Sequence, residues 1–301
     1  MRNAFIEELV AAAAINDKIV LVVGDLGYGV VEPFATQFPK RFFNAGVAEQ
    51  NMMSLSAGLA SEGFHVFAYS IANFPTFRCA EQIRNDVDYH DLPVTIVAVG
   101  GGLAYGNLGY SHHAVQDYAL MRVMPRMLIA APGDPMEVRA CMRYLVSNPQ
   151  PSYLRLGKAG EPCIHAEIPD VSPGKWLCLR EGNEDVKSTF LSTGAALEAV
   201  IRWSIDNPRT REFAVHTLPL WSMQAKAMQP LQVKNWNRVV TVEDHLKDAG
   251  FGSWMLESLA EDSSLISRVS LAALDSKVCG MVGRQATLNA ANGLGDLPRS
   301  I

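Results

Sequence analysis

Apolar and polar positions along the chain follow the pattern of strands alternating with helices. Short apolar runs end in glycine-rich or polar turns, and most are followed by segments with apolar residues at helical spacing. This order predicts an α/β fold built on a parallel sheet. The predicted strands of the first half, the last with its turn, are 19–23, 65–70, 93–99, 127–129 and 151–158.

The same alternation resumes after a connecting stretch that is rich in proline. Residues 161–174 contain Pro162, Pro169 and Pro173 and are typical of an exposed linker. Beyond it, the pattern predicts a second, smaller parallel-sheet α/β domain. We place the first domain at 1–165, the linker at 166–174 and the second domain at 175–301. The predicted strands of this second domain are 176–179, 189–192, 213–216 and 239–242.

The segment 41–63 is the most informative part of the sequence. A short apolar run ends in Asn44-Ala45-Gly46, and a helical pattern of small residues begins near Ala48 and stops at Gly63. Glu49 therefore lies in the first helical turn, where a carboxylate also complements the helix dipole. Small side chains along the rest of this helix favour close contact with another backbone.

Composition narrows the class of protein. Of the 301 residues, 49% are hydrophobic and 19% are charged, with a net charge of −5 and no long charge runs. We expect a globular cytoplasmic protein that binds neither nucleic acid nor a membrane. Five cysteines without a CxxC pair fit a reducing compartment, and the adjacent His112 and His113 have no third ligand nearby, so no metal site is predicted.

Three further segments follow predicted strands. Asp25 lies in the glycine-containing turn 24–29, at a strand end where open α/β sheets commonly bind ligands. Five glycines between 100 and 109 indicate a loop that a ligand approaches closely. Asp134, followed by Pro135 and Glu137, has the arrangement of a helix cap and is assigned to structure.

The run Gly46-Val47-Ala48-Glu49-Gln50-Asn51, with the small-residue helix after it, resembles the pyrimidine-binding domain of transketolase and deoxyxylulose-phosphate synthase. The resemblance implies that Glu49 binds thiamine diphosphate at N1′ of its aminopyrimidine ring. There a carboxyl group favours the tautomer that takes the proton from the thiazolium carbon. Val47, in the same motif, is a predicted cofactor contact.

The resemblance assigns roles to residues of the other strand ends. An aromatic residue at the junction near Phe74 and Phe77 stacks on the pyrimidine in that family, and the sequence leaves open which of the two does so here. His112 matches a histidine that faces cofactor and substrate, and is a predicted catalytic and substrate-binding residue. The remaining predicted substrate contacts are Arg78, Lys158 and Asp25.

Departures from the family pattern bear on specificity. Leu108 stands where transketolases carry an acidic residue that contacts a sugar hydroxyl, and Tyr110 replaces a proline. Gly100 and Gly101 occupy a region that carries a basic or imidazole group for the substrate phosphate. Part of the phosphate-binding pattern is therefore missing, which favours a donor or acceptor other than the standard pentose phosphates.

The chain resembles only half of a transketolase. The segment 241–253 resembles the C-terminal domain of the family, in which His245 is predicted to be structural or interfacial. The Gly-Asp-Gly motif that helps to hold Mg²⁺ and the diphosphate is missing, because no Gly-Asp pair is followed by glycine. The resemblance therefore implies a split enzyme, in which a separate N-terminal subunit holds the diphosphate and most of the Mg²⁺ shell, with two copies of each subunit.

The implied reaction is transfer of a two-carbon glycolyl (ketol) unit from a ketose to an aldehyde or to an acceptor bound to an acyl carrier protein. Two other enzyme classes stay open, the β subunit of a 2-oxoacid dehydrogenase and an enzyme like deoxyxylulose-phosphate synthase. A non-catalytic regulatory or binding subunit is the alternative outside enzymes. Retention of Glu49 and His112 argues against that alternative.

Overall fold

Strands and helices alternate through most of the computed structural model, which describes residues 1–297. The strands of this part are β1 (Ile19–Val23), β2 (Phe42–Asn44), β3 (His65–Ile71), β4 (Val94–Val99), β5 (Leu128–Ala130), β6 (Ser152–Leu156), β7 (Leu177–Arg180), β8 (Ser188–Ser192), β9 (Ala214–Thr217), β10 (Leu220–Trp221), β11 (Arg238–Leu246) and β12 (Val269–Leu274). The α-helices are α1 (Arg2–Ile15), α2 (Glu32–Gln37), α3 (Glu49–Ser61), α4 (Asn73–Phe77), α5 (Ala80–Gln82), α6 (Asp117–Met121), α7 (Pro135–Ser147), α8 (Leu197–Asp206), α9 (Gln229–Val233), α10 (Phe251–Ser258), α11 (Ser263–Ile266) and α12 (Gln285–Asn289).

The first sheet has seven strands in the order β10-β5-β6-β4-β3-β1-β2. Its inner strands are buried along almost their whole length because helices cover both faces. In β1, Val20 and Val22 pack into the hydrophobic cluster that contains Met52 and Met53 of α3, whereas Leu21 packs into the cluster on the opposite face. This burial fixes the register of the strands, and with it the positions of the loops at their carboxyl ends.

The second sheet has five strands in the order β12-β11-β8-β9-β7. The α/β fold with two sheets is as predicted, but one edge strand of each sheet runs antiparallel, which the prediction of parallel sheets missed. Leu177 of β7 pairs with Thr217 at the end of β9, and Leu220 of β10 pairs with Ala130 at the end of β5. In both cases the chain enters the sheet at the carboxyl end of its neighbour, so it can only run in the opposite direction.

Strand β10 also joins the two halves of the chain. It belongs by sequence to the predicted second domain, yet it forms an edge of the first sheet. The predicted domain boundaries stay a prediction, and residues 298–301 of the second domain lie outside the described residues. None of the helices within residues 1–297 combines the length and the apolar character needed to cross a bilayer.

The cysteines are less uniform than expected for buried apolar residues. Cys79 and Cys141 are buried, as that expectation requires, but Cys163 and Cys178 are exposed. Cys163 lies in the proline-rich connection and Cys178 in the edge strand β7, and neither segment is covered on both sides by other elements.

Two buried histidines predict a loss of stability in mild acid. Burial lowers the pKa of His65 and of His216 from 6.5 to about 4. Between pH 6.5 and 4 these two histidines therefore bind protons in the unfolded chain but stay neutral in the folded chain. The free energy of unfolding consequently falls as the pH is lowered. Each group contributes up to about 3 kcal/mol over this range.

Urea unfolding at pH 5 and pH 7 measures this effect. We expect His216→Phe to reduce the difference in unfolding free energy between the two pH values. A phenyl ring can replace the imidazole beside Trp176 and Trp236 but has no nitrogen that titrates. The exposed His90→Gln serves as the control and should leave the difference unchanged. A variant at His216 with the wild-type pH dependence would contradict the assignment.

Candidate active site

Glu49 is the first residue of α3 and is almost completely buried, with 4% of its surface exposed. A tight turn leads into the helix from β2. Gly46 has a positive φ of 74°, and its amide donates to Oδ1 of Asn44 at 2.9 Å. A side chain at this position would be strained, so the glycine of the motif is required by the turn. The turn places the Glu49 carboxylate at the carboxyl edge of the first sheet.

Arg78 lies directly on this carboxylate. Its Nη1 atom is 3.0 Å from both Oε1 and Oε2 of Glu49. The guanidinium carbon also lies 4.5 Å from the centroid of the Phe74 ring, in cation–π contact. Phe74 belongs to α4 and Arg78 follows the last residue of that helix, so their spacing of four residues brings them onto one side.

His112 approaches the same aromatic ring from the glycine-rich loop. The two ring centroids are 5.1 Å apart in an edge-on arrangement. Asn73 holds the loop in place by donating from Nδ2 to the carbonyl oxygen of Ser111 at 2.8 Å. Ser111 in turn contacts Nδ1 of His112 through its hydroxyl group at 3.0 Å. The imidazole is therefore fixed beside Phe74 by contacts on two sides.

Tyr105 links Lys158 to this group. Its ring centroid is 6.4 Å from that of His112, and the Lys158 ammonium lies 5.0 Å from the Tyr105 ring. Gly100 makes room for Tyr105, because a Cβ atom on Gly100 would stand 2.1 Å from the tyrosine ring. Gly100 also has a positive φ of 83°. The glycine is thus needed for the packing of this loop.

Asp25 lies at the adjoining strand end. Its Oδ1 accepts hydrogen bonds from Asn44 at 2.9 Å and from Tyr28 at 3.1 Å. These two bonds, the one from Asn44 foremost, lower the pKa of Asp25. The preceding residue, Gly24, borders Glu49, since a Cβ atom there would lie 3.9 Å from its Cγ.

The structure brings some of the predicted site residues together and leaves others at the surface. Glu49, Phe74, Arg78 and His112 form one contiguous group, which Tyr105 extends toward Lys158. The side chains of Val47 and Phe77, by contrast, are 74% and 46% exposed on this chain. Neither packs against the Glu49 carboxylate.

Two residues of this site were not anticipated from the sequence. Tyr105 is a large aromatic residue within a glycine-rich loop, and this contrast is the one signal in the sequence that could have indicated its role. Asn73 fixes the His112 loop through one long-range hydrogen bond. That contact spans 38 residues of sequence and has no local signal.

A buried ionic network lies apart from Glu49 and connects the two halves of the chain. Nε of Arg155 donates to Asp117 at 2.7 Å, and Nη1 donates to Asp244 of β11 at 2.6 Å. His245 is fully buried, and its ring is stacked on that of Tyr118 with the centroids 5.1 Å apart. The structural or interfacial role expected for it stays a prediction.

The predicted cap of α7 is present with one difference. Asp134 accepts a hydrogen bond from the amide of Glu137 at 2.8 Å, as a capping residue should. Glu137, however, accepts from the amide of Gly133 at 2.6 Å instead of from that of Asp134. Its other oxygen accepts from the hydroxyl of Thr217 in the second half of the chain, which draws this carboxylate toward the second sheet.

Residues 1–160 match the family model described as transketolase, pyrimidine binding domain. Over 269 residues the chain is 32% identical to one of the subunits of apulose-4-phosphate transketolase from Phocaeicola vulgatus, and the match covers 87% of this chain and 84% of that protein. It is 33% identical over 265 residues to the putative transketolase C-terminal section of Methanocaldococcus jannaschii, covering 87% and 82%. A split gene transketolase solved as an inactive beta4 tetramer matches with a TM-score of 0.84 at 30% identity, over 97% of this chain and 93% of that one.

Proposed function

Because this chain belongs to the transketolase family and corresponds to the C-terminal half of a split enzyme, we propose that Glu49 forms the pyrimidine-binding half of a thiamine diphosphate site. The observation that carries the proposal is the buried Glu49 carboxylate at the start of α3, which Arg78 links to the Phe74 ring. In this proposal the complete enzyme transfers a two-carbon ketol unit from a ketose to an acceptor.

The residues present fit the cofactor. A flat cation, the Arg78 guanidinium, already lies between the Glu49 carboxylate and the face of Phe74. An aminopyrimidine ring is also flat, and when its N1′ is protonated it donates a hydrogen bond to a carboxylate in the same way. When bound, thiamine diphosphate supplies a carbon nucleophile that accepts the ketol unit.

Each residue of the group has a distinct part in this scheme. Glu49 holds the proton at N1′, and its burial strengthens the hydrogen bond by excluding water. Phe74 supports the ring by stacking, which assigns to it the aromatic role that the sequence left open between Phe74 and Phe77. His112, beside Phe74, donates or accepts a proton at the oxygen of the reacting carbonyl.

The diphosphate half of the site belongs to a partner chain in this proposal. The missing Gly-Asp-Gly motif supports it, and so does the likeness to a relative whose name makes it one subunit of a transketolase. The partner holds Mg²⁺ with the diphosphate, and it covers the exposed Val47 and Phe77, which then meet the cofactor. Self-association is supported by the likeness to a split gene transketolase that forms a beta4 tetramer.

An exposed stripe of α3 offers a surface for this assembly. It consists of the small residues Ser54, Gly58 and Ser61. Side chains this small let a second helix approach closely, and we assign two copies of each subunit to the active enzyme. Obligate contacts of that kind bury on the order of 2,000 Å² or more.

The substrate contacts are assigned to the rim of the same group. Lys158 lies exposed above Tyr105 and attracts an anionic group of the substrate, while Arg78 and Asp25 approach from the other strand ends. Leu108 and Tyr110 are 52% and 51% exposed in the His112 loop. Their exposure favours an acceptor that makes few hydroxyl contacts there, whether a free aldehyde or a group attached to an acyl carrier protein.

Transfer by the reconstituted enzyme tests this function. The chain is mixed with a candidate diphosphate-binding subunit, thiamine diphosphate, Mg²⁺, a ketose donor and an aldehyde acceptor, and the extended ketose is measured. We expect His112→Asn to lower kcat/KM by about 10²-fold or more, because a positioned proton donor is lost.

The exposed His90→Asn is the matched control and should keep the wild-type rate. Full activity of the His112 variant would remove that residue from the catalytic group. Decarboxylation of pyruvate by the mixture, without ketol transfer, would instead favour a 2-oxoacid dehydrogenase or a deoxyxylulose-phosphate-type synthase.

A further inference from the structure

We propose that Arg78 is an internal stand-in for the pyrimidine ring, which closes the Glu49 site in the isolated chain and must move out before the cofactor enters. The proposal rests on the function proposed for Glu49 and adds a means of regulation at that site. Its basis is the pair of contacts that Arg78 makes, one to Glu49 and one to Phe74.

The two contacts coincide with those that an aminopyrimidine needs. One nitrogen of the guanidinium lies 3.0 Å from each Glu49 oxygen, so the edge of the carboxylate that faces the site is taken. The carbon atom of the same group lies over the Phe74 ring, 4.5 Å from its centroid. Two flat groups cannot occupy one carboxylate edge and one ring face together, so Arg78 and the pyrimidine exclude each other.

Burial explains why a stand-in is needed. The Glu49 side chain is only 4% exposed, and a buried carboxylate without a partner is strongly unfavourable. Among residues 1–297, the cation paired with Glu49 is Arg78. The arginine thus supplies the ion-pair partner of this buried carboxylate in the isolated chain.

The exposure of Arg78 explains how it can leave. Its side chain is 52% exposed, so its own charge is already largely hydrated and loses little on turning outward. It also follows the end of the short helix α4 and is not enclosed by that helix. After displacement the guanidinium stays at the mouth of the site, near enough to meet the anionic group of a substrate.

Competition with the pyrimidine half of the cofactor tests the stand-in. The probe is 4-amino-5-hydroxymethyl-2-methylpyrimidine, titrated into the isolated full-length chain in a calorimeter. We expect Arg78→Ala to bind the probe about tenfold more tightly than the wild type, because the open site no longer has to be vacated first. Arg84→Ala is the matched control, since Arg84 is exposed and its side chain hydrogen-bonds to its neighbour Asn85, away from Glu49.

Two further variants make the result specific. Adding Glu49→Gln to Arg78→Ala should abolish the gain, because the probe then lacks its carboxylate. Arg78→Lys keeps the counter-charge if the alanine variant does not fold, and it should bind the probe several-fold more tightly than the wild type, since an ammonium group does not cover the Phe74 face as a plane.

Equal binding of the probe to wild type and Arg78 variants, including no binding to any of them, would overturn the stand-in. So would a gain that survives Glu49→Gln. The proposed function is tested separately, by ketol transfer in the reconstituted enzyme, so its failure is distinguishable from failure of the stand-in.

Discussion

Glu49→Gln is expected to lower kcat of the reconstituted enzyme by about 10²- to 10⁴-fold, the range found when a positioned proton-transfer group is lost. Glutamine keeps the size and one acceptor of the side chain but does not take up the N1′ proton. We expect the stability of the fold to change little, because the Arg78 side chain is half exposed and is hydrated once it loses its partner. Steady-state kinetics of ketol transfer measures the loss of kcat, and the melting temperatures of the wild type and the variant show whether stability has changed.

Glu62→Gln is the matched control for this experiment. Glu62 lies at the other end of the same helix and is exposed, so its variant should retain the wild-type kcat. An active Glu49→Gln enzyme would contradict the assignment of Glu49 to the pyrimidine. An inactive variant that melts far below the wild type would instead point to a structural role.

Arg155→Met is expected to cause the largest loss of stability, about 3–5 kcal/mol in the free energy of unfolding. The guanidinium is buried between the carboxylates of Asp117 and Asp244, at 2.7 and 2.6 Å. Removing it leaves two buried charges without their partner, one on each half of the chain. Denaturant unfolding at neutral pH gives the value directly.

Arg143→Met provides the comparison for a surface ion pair. Arg143 is 59% exposed and pairs with Glu8, so we expect a change of about 0–1 kcal/mol. If both variants lost similar amounts of unfolding free energy, the buried network would not be a main stabilising contact between the two halves. Ketol transfer by the Arg155 variant, measured under conditions in which the variant is folded, shows whether this network also positions the active site.

Local pattern was enough to predict the elements nearest to the site. Strand β1 was expected at residues 19–23, and the structure has it at those bounds. Burial on both faces makes β1 a continuous apolar run, and glycine and small residues mark both ends of α3. These signals come from residues that are close together in sequence, so they can be recognised in one amino-acid sequence.

Long-range geometry was beyond the same reasoning. Glu49 and Arg78 are 29 residues apart, and no periodicity indicates that their side chains meet. The contact between Phe74 and His112, which supports Phe74 over Phe77 as the proposed stacking residue, also depends on where the glycine-rich loop places His112. The antiparallel edge strands follow from where the chain enters each sheet, at the carboxyl end of the neighbouring strand, which the local pattern does not show.

Binding of thiamine diphosphate with Mg²⁺, measured by calorimetry on this chain alone and after mixing with a candidate diphosphate-binding subunit, tests the central claim most directly. The split-site account predicts tight binding in the mixture only, followed by a spectral change when a ketose is added. Tight binding by the isolated chain would contradict the account, because the chain would then hold the diphosphate without a partner.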